Sequence, residues 1–189
     1  MLIPRARGAK MNAGALRAEA EQLYRSKALD CSEAVVHTIN RALGAPLSAD
    51  ALKMASGFAV GMGGLDQDGC TCGALAGGVM MLGLVYGRSA AFGSAPLVLT
   101  KSKELRDWFV AENGTTSCRA LVRGSDWSSP CRLEQCVRFT GAVTAKVAEM
   151  TQAVSDVAQP DLGPILALIS ATTAPAGKYV ESAPQAASA

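Results

Sequence analysis

The sequence predicts an all-α fold: a compact single-domain bundle of about five to six helices around a central, apolar, glycine-rich helix. Three observations predict it. Apolar residues recur at spacings of three and four between capping residues, with no convincing strand alternation and no internal repeat. Aromatic residues make up only 5% of the 189-residue chain, and its many small side chains suit closely packed helices better than a broad sheet. The run from Ala74 to Tyr86 is apolar on all sides, which is the pattern of a buried central helix.

The first helix is expected from about Asn12 to Ala28, with Leu16, Ala20, Leu23 and Tyr24 on one stripe. Asp30 and Glu33 form a capping box for the second, whose inner face is Val35, Val36, Ile39 and Leu43 and whose stop is Gly44. Cys31 lies four residues before Val35 and shares that face. The third helix starts at Ser48 and is expected to carry Leu52, Ala55 and Phe58. The segment Gly57 to Gly69 follows, too rich in glycine for a continuous helix. The central helix, Cys72 to about Gly87, carries Gly73 and Gly77 four apart, a flat strip that another helix can approach closely. A fifth helix runs from Pro96 to about Glu112, with Leu105, Trp108 and Phe109 inward, and Asn113-Gly114 ends it. Thr115, Thr116 and Ser117 cap a short turn that begins with Cys118. Ser129-Pro130 starts the last long helix, which bears Cys136, Thr140, Val143, Val147, Met150 and Val154 on one stripe.

These elements divide the chain into a flexible leader (1–11), a helical cysteine-rich domain (12–158) and an Ala/Pro/Ser-rich tail (159–189), in which Ile165 to Ile169 is the piece able to dock. The N-terminus has basic residues without an apolar stretch behind them, so no signal peptide is expected. The longest apolar run is well short of the roughly 20 residues of a membrane span. A formal charge of +2, with bases scattered among acids, argues against nucleic acid as the main partner. The chain is therefore expected to be soluble and cytoplasmic. In such a reducing compartment, its six cysteines are better read as ligands or catalytic thiols than as disulfides.

The placement of the cysteines carries the chemistry. Cys31, Cys70 and Cys72, Cys118 and Cys131 all fall at or just before a helix start, and Cys136 lies one turn further on, facing inward. Helix N-termini favour negative charge by roughly 0.3–1 kcal/mol each, so several together are expected to favour thiolates, as an anionic cluster or a reactive dithiol. Cysteine also serves as a small hydrophobe, a reading that suits Cys136 on its apolar stripe and suits Cys70 and Cys72 less, among Gly, Asp and Thr. Other chemistries fit poorly. Zinc knuckles are absent, and the single histidine, His37, shares a helical face with Glu33 and Arg41, as a surface residue does. No Gly-Lys-Ser/Thr follows the glycine-rich stretch, so no nucleotide is expected, and no haem-attachment motif occurs. Asp66 and Asp68 read as turn residues beside the thiols.

Several segments together resemble the redox-active family named for its cysteine pattern, C_GCAxxG_C_C. They are Asp30-Cys31-Ser32-Glu33-Ala34-Val35; Ala55-Ser56-Gly57-Phe58; Cys72-Gly73-Ala74-Leu75-Ala76-Gly77 with Leu82-Gly83-Leu84; Cys118-Arg119 with Leu121; and Cys131 or Cys136 ahead of Val137-Arg138. The resemblance implies a helical domain that gathers four cysteines for a redox role. A related helical domain in split-Soret cytochrome c implies that iron–sulfur binding is within the fold's reach, though the haem motifs of that relative are lacking here. Cys70 is an addition to the family pattern, and Cys131 and Cys136 compete for its last position.

Three functions follow as expectations. The first is an iron–sulfur or related metal–thiolate protein that transfers electrons or supports a partner enzyme. Its ligands would be Cys31, Cys72, Cys118 and either Cys131 or Cys136, with Cys70 next. The second is a metal-free thiol/disulfide oxidoreductase that cycles Cys70 and Cys72 as its catalytic pair. The third is a sulfur or metal carrier, or a maturation partner. A redox protein or enzyme is the expected partner, and the glycine strip and alanine-rich faces permit a homodimer.

Overall fold

Capping chemistry sets where the chain turns helical. The computed structural model describes residues 11–65, 68–90, 93, 95–126 and 128–156, with side chains described to residue 152. The expectations for residues 1–10, Asp66, the inward face of Val154 and the tail after Asp156 lie outside these. Asn12 accepts the Ala15 N–H at 3.0 Å and opens α1 (Ala13–Arg25), which turns Leu16 and Ala20 inward. Met11, assigned to the leader by sequence, is buried in the core. The capping box at Asp30 and Glu33 opens α2 (Cys31–Ala42), the Asp30 N–H donating to Glu33 at 2.8 Å.

The buried face of α2 is wider than the apolar stripe alone, because Ser32, Thr38 and Asn40 are buried too. Ser32 Oγ donates to the Ala55 carbonyl at 2.8 Å, and Asn40 Oδ1 accepts the Leu47 N–H at 3.0 Å, so these polar groups tie the following loop onto the helix. Ser48 caps α3 (Ala49–Lys53), which ends earlier than the apolar pattern predicts. Ala55 and Phe58 lie beyond it, in and beside the 3-10 turn Ser56–Phe58 that leads into the glycine-rich segment.

The apolar helix α4 (Gly73–Tyr86) lies at the centre, packed against α2, α5 (Pro96–Asn113) and α7 (Pro130–Asp156). Its glycines are contact points. A Cβ on Gly77 would fall 2.6 Å from the Ser32 carbonyl oxygen, and one on Gly78 would fall 2.7 Å from Val143. The glycine strip is therefore covered by α2 of the same chain. Phe109 of α5 meets Phe139 of α7 edge-on, with centroids 5.8 Å apart, and Gly114 in a left-handed conformation ends α5. The short helix α6 (Cys118–Leu121) follows. The long helix α7 pairs with α1 along its length, where Gly141 makes room for Glu21 and Arg25 forks onto Glu134 at 2.8 and 3.0 Å.

Seven right-handed helices thus form among the described residues. The only extended pairing there is the isolated antiparallel bridge between Thr71 and Ser117. No described helix is long and apolar enough to cross a membrane.

Candidate functional site

Four cysteines from four separate segments line one cavity of about 80 Å³: Cys31, Cys72, Cys118 and Cys136. Cys31 is the first residue of α2, Cys72 caps α4, Cys118 opens α6, and Cys136 sits in the second turn of α7. Cys72 is buried, and the other three are half-buried. Cys70 and Cys131 are exposed and do not belong to the cavity wall. Of the two cysteines that compete for the last position, the structure thus turns Cys136 inward and leaves Cys131 outside.

Two local devices hold the sulfurs together. The first is the segment between the 3-10 turn and Gly64. Val60, Gly61, Met62 and Gly63 all have positive φ (55°, 70°, 67° and 79°), a full turn of left-handed backbone. L-residues resist this conformation by roughly 1–2 kcal/mol each, so tertiary contacts must hold it. Those contacts surround the cysteines. The Val60 N–H favours the Cys31 thiolate. A Cβ on Gly61 would fall 2.6 Å from Cys118 Cβ, and Gly64 and Gly69 touch each other's backbone. The second device is the extended piece from Gly69 to Cys72. Cys70 N–H donates to Gly61 at 2.9 Å, Cys118 N–H to the Cys70 carbonyl at 2.5 Å, and Cys72 N–H to the Thr116 carbonyl at 2.8 Å. Cys70 thus contributes its backbone to the site while its side chain stays outside. Gly73 completes the fit, since a Cβ there would lie 2.5 Å from Cys31 Sγ.

The electrostatics differ from those expected of cysteines at helix starts. Burial pushes the Cys31 thiol up to about 11, against the pull of the Val60 and Ser32 N–H groups. Burial also raises Cys72 strongly, although the N–H groups of Ala74 and Leu75 face its sulfur and favour its charge. Cys118 and Cys136 are raised as well, burial first. Each thiolate also repels its neighbours: Cys31 is raised by Cys136 and Cys118, and Cys72 by Cys31 and Cys118. Helix ends contribute in the expected sense, but loss of hydration outweighs them. The four thiols are neutral near pH 7 unless something compensates the charge of the thiolates.

Two polar residues of the wall, Arg132 and Tyr24, were given no part in the site by the sequence. Arg132 is buried at 5% exposure and favours the thiolates of Cys118 and Cys136. Its signal was its spacing, four residues before Cys136 and so on the same face of α7. Tyr24 belongs to the predicted stripe of α1, where it reads as core. In the structure its hydroxyl favours the Cys136 thiolate, and burial followed by the Cys136 charge raises the tyrosine's own pKa. His37, expected at the surface, is half-buried and distant in role from the cavity wall.

Among the described residues, no three His, Cys, Asp or Glu groups are gathered tightly enough to hold a metal ion. A family model described as "Putative redox-active protein (C_GCAxxG_C_C)" matches residues 29–150. The chain belongs to this family. The match begins just before Cys31, ends beyond Cys136 and so covers all four cavity cysteines. Within the matched range lies Cys72-Gly73-Ala74, where Gly73 is the residue that admits the Cys31 sulfur. No curated protein and no solved structure matches the chain.

Proposed function

We propose that this redox-active chain holds an iron–sulfur or related metal–thiolate cluster on Cys31, Cys72, Cys118 and Cys136 and passes electrons to a partner protein or enzyme. The observation that carries the reading is the convergence of these four thiols, from four segments, on one cavity. Four thiolates are the usual complement of an iron–sulfur cluster. The walled space, about 80 Å³ and lined by all four cysteines, is where such a cluster would sit. When bound, such a cluster accepts and releases single electrons.

The chain's own residues supply the rest. The N–H groups of Val60, Ser32, Ala74 and Leu75 and the Tyr24 hydroxyl stabilise charged sulfur. Burial keeps water from Cys72, and oriented donors around sulfur tune a metal site's potential. The raised thiol pKa values fit the same picture, because buried thiolates need a compensating positive charge and a metal provides it.

The alternative pair, Cys70 and Cys72, is less well served. Cys72 is buried in the cavity wall and Cys70 is exposed, and hydrogen bonds to Gly61 and Thr116 hold the backbone of the two in place. A reducing compartment such as the cytoplasm suits exposed Cys70 and Cys131 as free thiols. Anaerobic purification from iron-supplied cells, a visible spectrum and assays of iron and acid-labile sulfide test the reading. A brown protein with both in stoichiometric amounts is expected, and a colourless, iron-free protein contradicts it.

A further inference from the structure

Among the described residues, Arg132 is the only cation in the cavity wall, and it is buried. A guanidinium stays charged at any ordinary pH, and enclosing it costs desolvation energy that an apolar side chain of similar size would avoid. Arg132, Cys136 and Phe139 share a face of α7, and Cys118 lines the same cavity, so the positive charge stands in the same wall as the Cys118 and Cys136 thiols. Cys31 and Cys72 line the same cavity, with backbone N–H groups and the carboxyl of Asp30 nearby.

We infer that Arg132 is a positioning residue that sets the reduction potential of the cysteine site by holding a fixed positive charge on the α7 face that carries Cys136. The inference rests on the proposed cluster. Reduction brings one electron from an external one-electron donor, breaks no bond in the protein and makes the site one unit more negative. A fixed cation stabilises that reduced form over the oxidised one and so raises the potential. Because the charge is buried, salt screens it little.

Anaerobic spectroelectrochemical titration with dithionite of the wild type, Arg132→Gln, Arg132→Met and Arg132→Lys tests this. Iron and sulfide are counted in each sample. Arg132→Gln and Arg132→Met are expected to keep their iron while the reduced-to-oxidised ratio at the wild-type midpoint falls at least tenfold, ~59 mV for a one-electron couple. Arg132→Lys, which keeps the charge, is expected to recover most of that shift. The inference is overturned if an iron-loaded Gln or Met variant titrates within threefold of wild type, or if Lys does no better than Gln. It is also overturned if both neutral variants fold but lose their iron, which would make Arg132 a structural support. A wild-type protein without iron defeats the underlying cluster reading instead, and the two failures are distinguished by the wild-type metal count.

Discussion

Gly73 shows how little room the site leaves at the scale of one residue. A methyl group there would lie 2.5 Å from Cys31 Sγ and 2.7 Å from the Phe58 carbonyl oxygen. Gly73→Ala must therefore push α2 or the 3-10 turn away. Overpacking of this kind costs about 1–3 kcal/mol, to be read from urea unfolding of the metal-free protein, and iron content should fall with it. Cys31 gives a second residue-scale expectation. Its thiol is raised from the ordinary 9.0 to about 11, so the fold holds the proton more tightly than the unfolded chain does. That stabilisation is fully present below pH 9 and is lost as pH rises towards 11. For Cys31 it amounts to something on the order of 2–3 kcal/mol. Metal-free, reduced protein should lose thermal stability across this window, and Cys31→Ala should flatten the pH profile.

The left-handed turn Val60–Gly63 carries the element-scale test. Met62 is 51% exposed and has φ 67°, so its side chain gains little while its backbone is strained. Met62→Gly should be neutral or stabilise by up to ~1 kcal/mol, and Met62→Val should destabilise by about 1 kcal/mol, as thermal melts would show. An ordinary right-handed helix would give the reverse order for Gly. This turn was not legible in the sequence. Glycine at positions 61 and 63 permitted it, but Val60 and Met62 argue against it locally, and only packing against Gly69 and Cys118 enforces it. The helix starts were legible because their signals are local: Asn12, the Asp30–Glu33 box, Ser48, Pro96 and Pro130 all act within one turn of the chain. The choice between Cys131 and Cys136 was not. Five residues apart, they point about 140° away from each other around the helix, and long-range docking decides which one faces inward.

Across the whole molecule, the site is a product of long-range packing. Residues 31, 72, 118 and 136 meet only when α2, α4, α6 and α7 are all in place. A ligand joining them should therefore stabilise the assembled state by linkage. Removing metal with a chelator should lower the melting temperature. Hydrogen exchange should rise first around the Thr71–Ser117 bridge and α6, and last in the α1–α7 pair, which buries Leu16, Ala20, Val143 and Val147. The most direct test of the central claim counts iron per chain in six anaerobically purified Cys→Ser variants. Cys31→Ser, Cys72→Ser, Cys118→Ser and Cys136→Ser should each lose most of the iron, while Cys70→Ser and Cys131→Ser keep the wild-type amount. Full iron in the first four, or its loss in either of the last two, would contradict the four-cysteine site.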